Sequence, residues 1–208
     1  MTSAISVAGD AILRDPGRTP DRFRQRLLDG LAASIGERGY RASTVADIVR
    51  HARTSKRTFY DQFASREQCF LELLETENES LGQSITAAVD PEADWRLQIR
   101  QAVEAYVQNI ESRPAITLSW IRELPSLGDA ARPVQRRGLQ LLSSLLIDLT
   151  ATPGFRRADL PPLTAPLAVT LLGGLRELTA LAVEDGRPVR EIVEPAVDAS
   201  IALLGPRH

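Results

Sequence analysis

The stretch Ser43 to Phe63, STVADIVRHARTSKRTFYDQF, constrains the fold more than any other part of the chain, because it holds two short apolar-periodic runs with almost nothing between them. In the first run Val45, Ile48 and Val49 recur at helical spacing behind Thr44, whose hydroxyl suits a helix N-cap. In the second, Ser55 is the N-cap residue, and Phe59 and Phe63 fall four apart on one face. Ala52, Arg53 and Thr54 leave room only for a tight turn, so the two helices must cross steeply. This pattern predicts a helix-turn-helix.

The face opposite Phe59 and Phe63 carries Arg57 and Asp61, flanked by Lys56, Thr58 and Tyr60. A guanidinium forks onto the acceptor edge of guanine, and a carboxylate accepts from the cytosine amine. Hydroxyls and helix N-termini suit phosphate oxygens. Ser43, Thr44, Arg53, Ser55, Lys56, Arg57, Thr58, Tyr60, Asp61 and Arg66 are therefore the candidate DNA-contacting residues. The competing reading is a solvated helix on which Arg57 and Asp61 pair across one turn.

From about Asp21 to Leu74 the sequence resembles the DNA-binding domain of the tetracycline-repressor (TetR) family. The resemblance rests on Gly39-Tyr40, Ser43-Thr44-Val45, Ile48, Ser55-Lys56-Arg57-Thr58-Phe59-Tyr60, Phe63 and Ser65-Arg66-Glu67, all in fixed register. Three positions depart from the family pattern: Arg53 replaces the turn glycine, Val49 replaces alanine, and Asp61 stands where histidine is common. If the turn needs positive φ, Arg53 bears strain on the order of 1 kcal/mol. Either the turn differs, or the guanidinium meets a phosphate that offsets the strain. The resemblance implies a homodimer that binds palindromic operator DNA and responds to a small-molecule effector, most often as a repressor in the cytoplasm.

A net charge of −2 argues by itself against a nucleic-acid binder, but its distribution does not. Residues 1–66 hold twelve Lys and Arg against seven Asp and Glu, a net of +5, and the remainder nets −7. A basic head on an acidic body is the layout expected of a DNA reader. The lone cysteine, Cys69, beside Phe70 on an apolar face, reads as core filler and excludes an internal disulfide.

Residues 1–20 read as a flexible arm in which Arg14 and Arg18 are the only features suited to a minor groove. No apolar run approaches the roughly eighteen residues of a membrane span, and no secretory signal is present. Residues 21–66 form the head, whose first helix carries Phe23, Leu27, Leu28, Leu31 and Ile35. The helix opening at Ser65-Arg66-Glu67 is long enough to link head to body, and its Glu72, Glu75, Glu77 and Glu79 read as a solvated face.

Residues 67–208 are helical by period. One helix starts at Trp95 and closes at Pro114, and a shorter one around Ile116 to Leu124 closes at Pro125. A third covers Val134 to Leu149, followed by a loop from Thr152 to Pro162 and helices over Leu163–Val183 and Pro188–Leu204. The fold class is all-α: a three-helix head and a helical body for ligand binding and dimerisation. The last two helices carry more apolar surface than one face needs, with Gly173 and Gly174 permitting close approach. Leu171, Leu175, Leu178, Val193, Val197 and Ile201 are the candidate dimer residues.

A body of this size has room for a cavity, with Tyr106 and Trp120 as lining candidates, supported by Trp95, Thr117 and Leu142. The ligand expected there is apolar or amphipathic. Neither His51 nor His208 has a nucleophile and carboxylate arranged around it by spacing, and no cofactor or metal motif occurs. The expected function is a ligand-released DNA-binding regulator. A regulator whose body meets a protein, and a helical enzyme whose head only imitates the motif, are the alternatives.

Overall fold

The computed structural model describes residues 19–206, so the arm with Arg14 and Arg18, and His208, lie outside the described residues. The described residues form ten α-helices joined by short π and 3-10 turns, with no strand among them. The head comprises α1 (Thr19–Ala42), α2 (Val45–His51) and α3 (Lys56–Gln62). α1 ceases to be helical at Gly39, whose φ of 77° a side chain would resist. Thr44 then caps α2 through a reciprocal capping box with Asp47, Ser55 caps α3, and Ser65 caps α4 (Arg66–Ala88), all as their sequence positions predict. Hydrogen bonds from the Thr44 hydroxyl and backbone hold the Asp47 carboxyl below the usual carboxylate range.

The body contains α5 (Trp95–Ser112), α6 (Pro114–Leu118), a π-helical turn over Ser119–Glu123, a 3-10 turn over Leu124–Ala130, α7 (Arg132–Leu149) and α8 (Pro153–Arg157). It ends in α9 (Ala165–Glu184), a 3-10 turn over Val189–Ile192, and α10 (Val193–Leu204). Prolines here open helices more than they close them. Pro114 begins α6, and Pro153 lies in the first turn of the short α8, inside the stretch read from sequence as a loop. A missing N–H costs nothing in a first turn, where the N–H has no intrahelical acceptor. Pro125 likewise sits in the first turn of the 3-10 segment and does not end the chain's helical course.

Two apolar clusters organise the molecule. In the first, Leu27, Leu31 and Ile35 of α1 meet Ile48, Phe59, Phe63, Phe70 and Leu74. Ile116, Leu124 and Val134 of the body join the same cluster, so the head core continues into the body. Phe59, Phe63 and Phe70 are fully buried, each contributing about 1.5–3 kcal/mol of transfer free energy. The second cluster packs Trp95, Ile99, Val103 and Val107 of α5 against Leu171 and Leu175 of α9 and Ile192 and Val197 near the C-terminus. Cys69 is buried in the first cluster, where desolvation pushes its thiol up to about 12 and keeps it protonated.

α4 is the element shared by head and body. Its Glu72 pairs with Arg24 of α1, Glu75 with Arg137 of α7, and Glu77 with Arg113 at the end of α5. These carboxylates are therefore ties to three other parts of the chain, a correction to the solvated face expected from sequence. Sequence periodicity shows which residues share a face but not which distant arginines reach it.

Candidate nucleic-acid interface and ligand cavity

α3 presents Lys56, Arg57, Tyr60 and Asp61 to solvent while Phe59 anchors it from beneath. No ion pair joins Arg57 to Asp61 among the described residues, so both side chains are available to a partner. Tyr60 is 58% exposed, its ring held edge-on against Phe59 at 5.3 Å between centroids. An exposed aromatic beside two unpaired charges, on a rigidly anchored helix, is an arrangement for contact rather than for stability.

The hydroxyls around it have local duties. Ser55 accepts from the Thr58 N–H at 3.1 Å, and the Ser55 and Thr58 hydroxyls lie 3.0 Å apart. Thr44 donates to the Asp47 carboxylate at 2.6 Å but stays exposed at the start of α2. Arg53 has φ 49° in the turn between α2 and α3. The turn thus keeps the left-handed backbone for which glycine is suited, and the arginine side chain points to solvent. Arg26 of α1 secures this turn by donating to the carbonyls of Ala52 and, at 2.9 Å, Arg53.

Two expected contacts need correction. Ser43 is wholly buried, bonding Gly39 O at 2.9 Å and receiving the Ser34 hydroxyl at 2.8 Å, so its side chain cannot reach a phosphate. Arg66 is half-buried, with its guanidinium 4.5 Å over the Tyr40 ring and one Nη donating to the carbonyls of Tyr40 and Ser43. It braces the α1–α2 corner. A position at a helix start in sequence looks free for phosphate until the backbone carbonyls folded next to it are visible.

Below the head, α4, α5, the α6 to π-turn segment, α7 and α9 line a half-open cavity of about 610 Å³, within the range of small-molecule sites. Tyr106, Thr117, Trp120 and Leu142 all line it. Trp95 does not: it is buried in the second core cluster with its ring 6.0 Å from that of Phe155. Gly138 of α7 leaves the room that Trp120 occupies, since a Cβ there would stand 2.7 Å from its ring. Burial pushes the Tyr106 phenol up to about 12, and its hydroxyl lies 2.9 Å from that of Thr179.

The polar part of the lining escapes an aromatic-centred reading. Arg113, Arg136 and Arg176 all face the cavity; Arg113 is paired with Glu77, and Arg176 donates to Ile121 O at 2.9 Å. The sequence does carry a signal for Arg176, namely a lone cation within the apolar run Leu171 to Leu178. On the far side of the π-turn, Arg122 clamps Glu177 at 2.8 Å and Glu184 at 2.6 Å of α9. Glu123 receives Arg41 of the head at 2.7 Å.

Of the candidate dimer residues, Leu171, Leu175 and Val197 are buried inside the protomer, and Val193 and Ile201 are partly buried against the same cluster. Leu178 is exposed, together with Leu181 and Val169, and Gly173 and Gly174 have open space above them. The outward apolar face of α9 is thus rotated from the one chosen by periodicity. α9 is also long and apolar enough, by length and composition only, to cross a membrane, although one-third of its most apolar window is buried in this fold. Arg176 and Glu177 interrupt the helix, so no uncharged run within it reaches the length of a span.

The model of the family described as bacterial regulatory proteins, tetR family, matches residues 27–73. The chain is 31% identical over 91 residues to the HTH-type transcriptional activator FasR of Mycolicibacterium smegmatis, a match spanning 44% of this chain and 42% of that protein. In fold it is similar to the fatty acid degradation regulator FadR of Bacillus halodurans, with a TM-score of 0.69 and 20% identity over 89% of this chain and 96% of that one. FadR of Bacillus subtilis, solved in complex with stearoyl-CoA, gives a TM-score of 0.73 at 15% identity over 88% and 99% of the two chains. The family match covers α2, α3 and the turn between them, the same residues that build the exposed face. Residues 27–73 thus carry the sequence of the tetR family of bacterial regulatory proteins, on a fold shared with solved regulators over nearly nine-tenths of the chain.

Proposed function

We propose that the chain is a homodimeric, sequence-specific DNA-binding transcriptional regulator of the cytoplasm, whose hold on a palindromic operator is loosened by an amphipathic small molecule. The observation that carries this reading is the course of α4. Its first turns, with Phe70 and Leu74, sit in the head core, while Leu74, Glu77, Asn78 and Leu81 line the cavity. A ligand that moves the lower half of α4 therefore moves the head attached to its upper half.

Two recognition helices read one palindrome only when their separation matches roughly one turn of DNA, about 34–36 Å. A tilt of α4 changes that separation. Repression by occupancy follows where the operator overlaps a promoter. The FasR relative is an activator by name, and the same ligand-linked release would withdraw activation where the operator lies beside a promoter. The stearoyl-CoA held by one structural neighbour supports an amphipathic ligand for a cavity of this shape. The relatives are regulators, which weighs against the enzymatic alternative.

Selection of binding sites from random DNA, followed by gel-shift release with candidate ligands, tests the reading. A selected palindrome whose complex is dissolved by a ligand is the expected result. Trp120→Ala should keep operator affinity and blunt release. Linkage requires operator DNA to weaken ligand binding by the same factor by which ligand weakens operator binding, typically about 5–150-fold. Failure to select any DNA sequence would overturn the proposal.

A further inference from the structure

α4 is not the only attachment of the head to the body. The corner between α1 and α2 is gripped from two sides. Arg66, the first residue of α4, donates to the Arg41 carbonyl at 3.4 Å, and the Arg41 guanidinium pairs with Glu123 of the π-turn at 2.7 Å. Arg41 follows the non-helical Gly39 and precedes the Thr44 cap of α2, so it belongs to the corner itself.

The π-turn is fastened in its turn to α9. Arg122 reaches Glu177 at 2.8 Å and Glu184 at 2.6 Å, and Arg176 of α9 donates back to Ile121 O at 2.9 Å. A guanidinium forked onto two carboxylates is held in orientation as well as in place, which a lone exposed pair is not. Glu177, Leu181 and Glu184 fall on one face of α9, and Leu181 is exposed there. The clamp therefore borders the outward apolar face at which the proposed dimer meets.

A path thus runs from the dimer face to the head through Arg122, the peptide to Glu123, and Arg41. It does not use α4, which passes beside the cavity through Glu77, Asn78 and Leu81. A head joined to its body along one helix keeps an angle free, and an attachment off that helix removes it. Ile116 and Leu124 also join the head core, but apolar attraction has no direction. A charge-assisted hydrogen bond does.

Resting on the dimeric DNA-binding reading above, we propose that Arg41 and Glu123 are positioning residues that set the half-site spacing the dimer accepts. By referring each head to α9, the pair fixes how far apart the two recognition helices stand. α3 reads the bases within a half-site, and the pair decides how far apart the two half-sites must lie. One base pair added between half-sites shifts the second by roughly 3.4 Å and turns it by about 35°, so a fixed head registers the change and a loosened one absorbs it.

The test places the half-sites of a selected palindrome at their native spacing and with one base pair added or removed, and measures binding of the full chain by fluorescence anisotropy. The ratio of affinities between spacings cancels the phosphate contacts common to both. Wild type should prefer the native spacing by at least about tenfold. Glu123→Ala should lower that preference by at least about threefold, the order that two exposed ion pairs per dimer supply, while affinity for a single half-site and the sedimentation mass stay unchanged. Glu123→Gln keeps the shape of the side chain and should act in the same direction should Glu123→Ala disturb the turn. Arg41→Glu combined with Glu123→Arg should recover the preference, which a merely structural role for either residue would not produce.

An unchanged spacing preference in both Glu123 variants, an equal loss on the single half-site, or a charge swap that recovers nothing would overturn the positioning role. Failure to select any palindrome would overturn the DNA-binding reading and this role with it, whereas a selected palindrome read with indifferent spacing by wild type overturns this role alone.

Discussion

Replacement of Arg53 by glycine separates two roles that this position combines. Arg53 has φ 49°, and a non-glycine residue in this region costs roughly 1–2 kcal/mol. Arg53→Gly removes that cost but enlarges the freedom of the unfolded chain, an opposing effect of roughly 0.5–1 kcal/mol. The backbone bonds of the turn do not depend on the side chain: Arg53 N–H donates to Arg50 O at 3.2 Å, and its carbonyl accepts from Arg26 at 2.9 Å. The exposed guanidinium has no ion-pair partner among the described residues, so its removal disturbs little else. A net gain of about 0.5–1 kcal/mol is expected, which for a chain of this size raises the melting temperature by about 1–4 °C. The measurement is urea and thermal unfolding at equal protomer concentration, because the proposed dimer would make the midpoint concentration-dependent. In parallel, the dependence of operator affinity on salt should flatten by about 0.9 in log–log slope for each phosphate that the variant no longer neutralises. A lower melting temperature in Arg53→Gly would refute the strain, and an unchanged salt slope would refute the compensating phosphate interaction.

Arg57→Ala is expected to cost about 1–3 kcal/mol on the selected operator and to relax choice at one base position, as measured by competition among single-base variants. Uniform weakening on specific and random DNA would reassign it to the backbone. Leu181→Asp on the outward face of α9 should dissociate the proposed dimer with the protomer still folded, whereas Val197→Asp, at 2% exposure, should unfold it; sedimentation and circular dichroism distinguish the two. Gly138→Ala should drive Trp120 into the cavity, cutting ligand affinity and shifting tryptophan fluorescence while the Trp95 contribution stays constant. Hydrogen bonds from Arg122 lower the Glu177 and Glu184 pKa values, so the clamp stabilises the fold above the ordinary carboxylate range and is lost as pH falls through the lowered values. Arg122→Met should therefore flatten the acid limb of a melting-temperature profile; an unaltered limb would show that the clamp contributes nothing.

The head is legible in the sequence because its information is local. Thr44, Ser55 and Ser65 cap the helices that their spacing predicts, and Phe59 and Phe63 are buried as their period requires. Ser43 and Arg66 mislead because their partners, Ser34 and the carbonyls of Tyr40 and Ser43, are distant in sequence or carry no side-chain signal. In the body, period identifies the helices but not their rotation. An apolar residue on α9 has the same pattern whether it faces α5, as Leu175 does, or solvent, as Leu181 does. Tyr106 and Trp120 are recognisable as cavity aromatics, whereas Trp95 differs from them only in the elements folded around it.

The π-helical turn Ser119–Glu123 sets the phase of the side chains on either side of it. Its closing bond runs from Leu124 N–H to Ser119 O, one residue wider than an α-helical bond, so the segment is an α-helix with a single residue too many. Upstream of the extra residue the helix keeps its original phase, and downstream every side chain is turned by about 100°. Trp120 thereby points into the cavity while Arg122 reaches α9 and Glu123 meets Arg41 of the head. Deleting one residue from this turn would leave composition and helicity almost untouched and would still unhook all three together. One backbone residue thus sets, at once, what faces the cavity, what ties the turn to α9 and what ties it to the head.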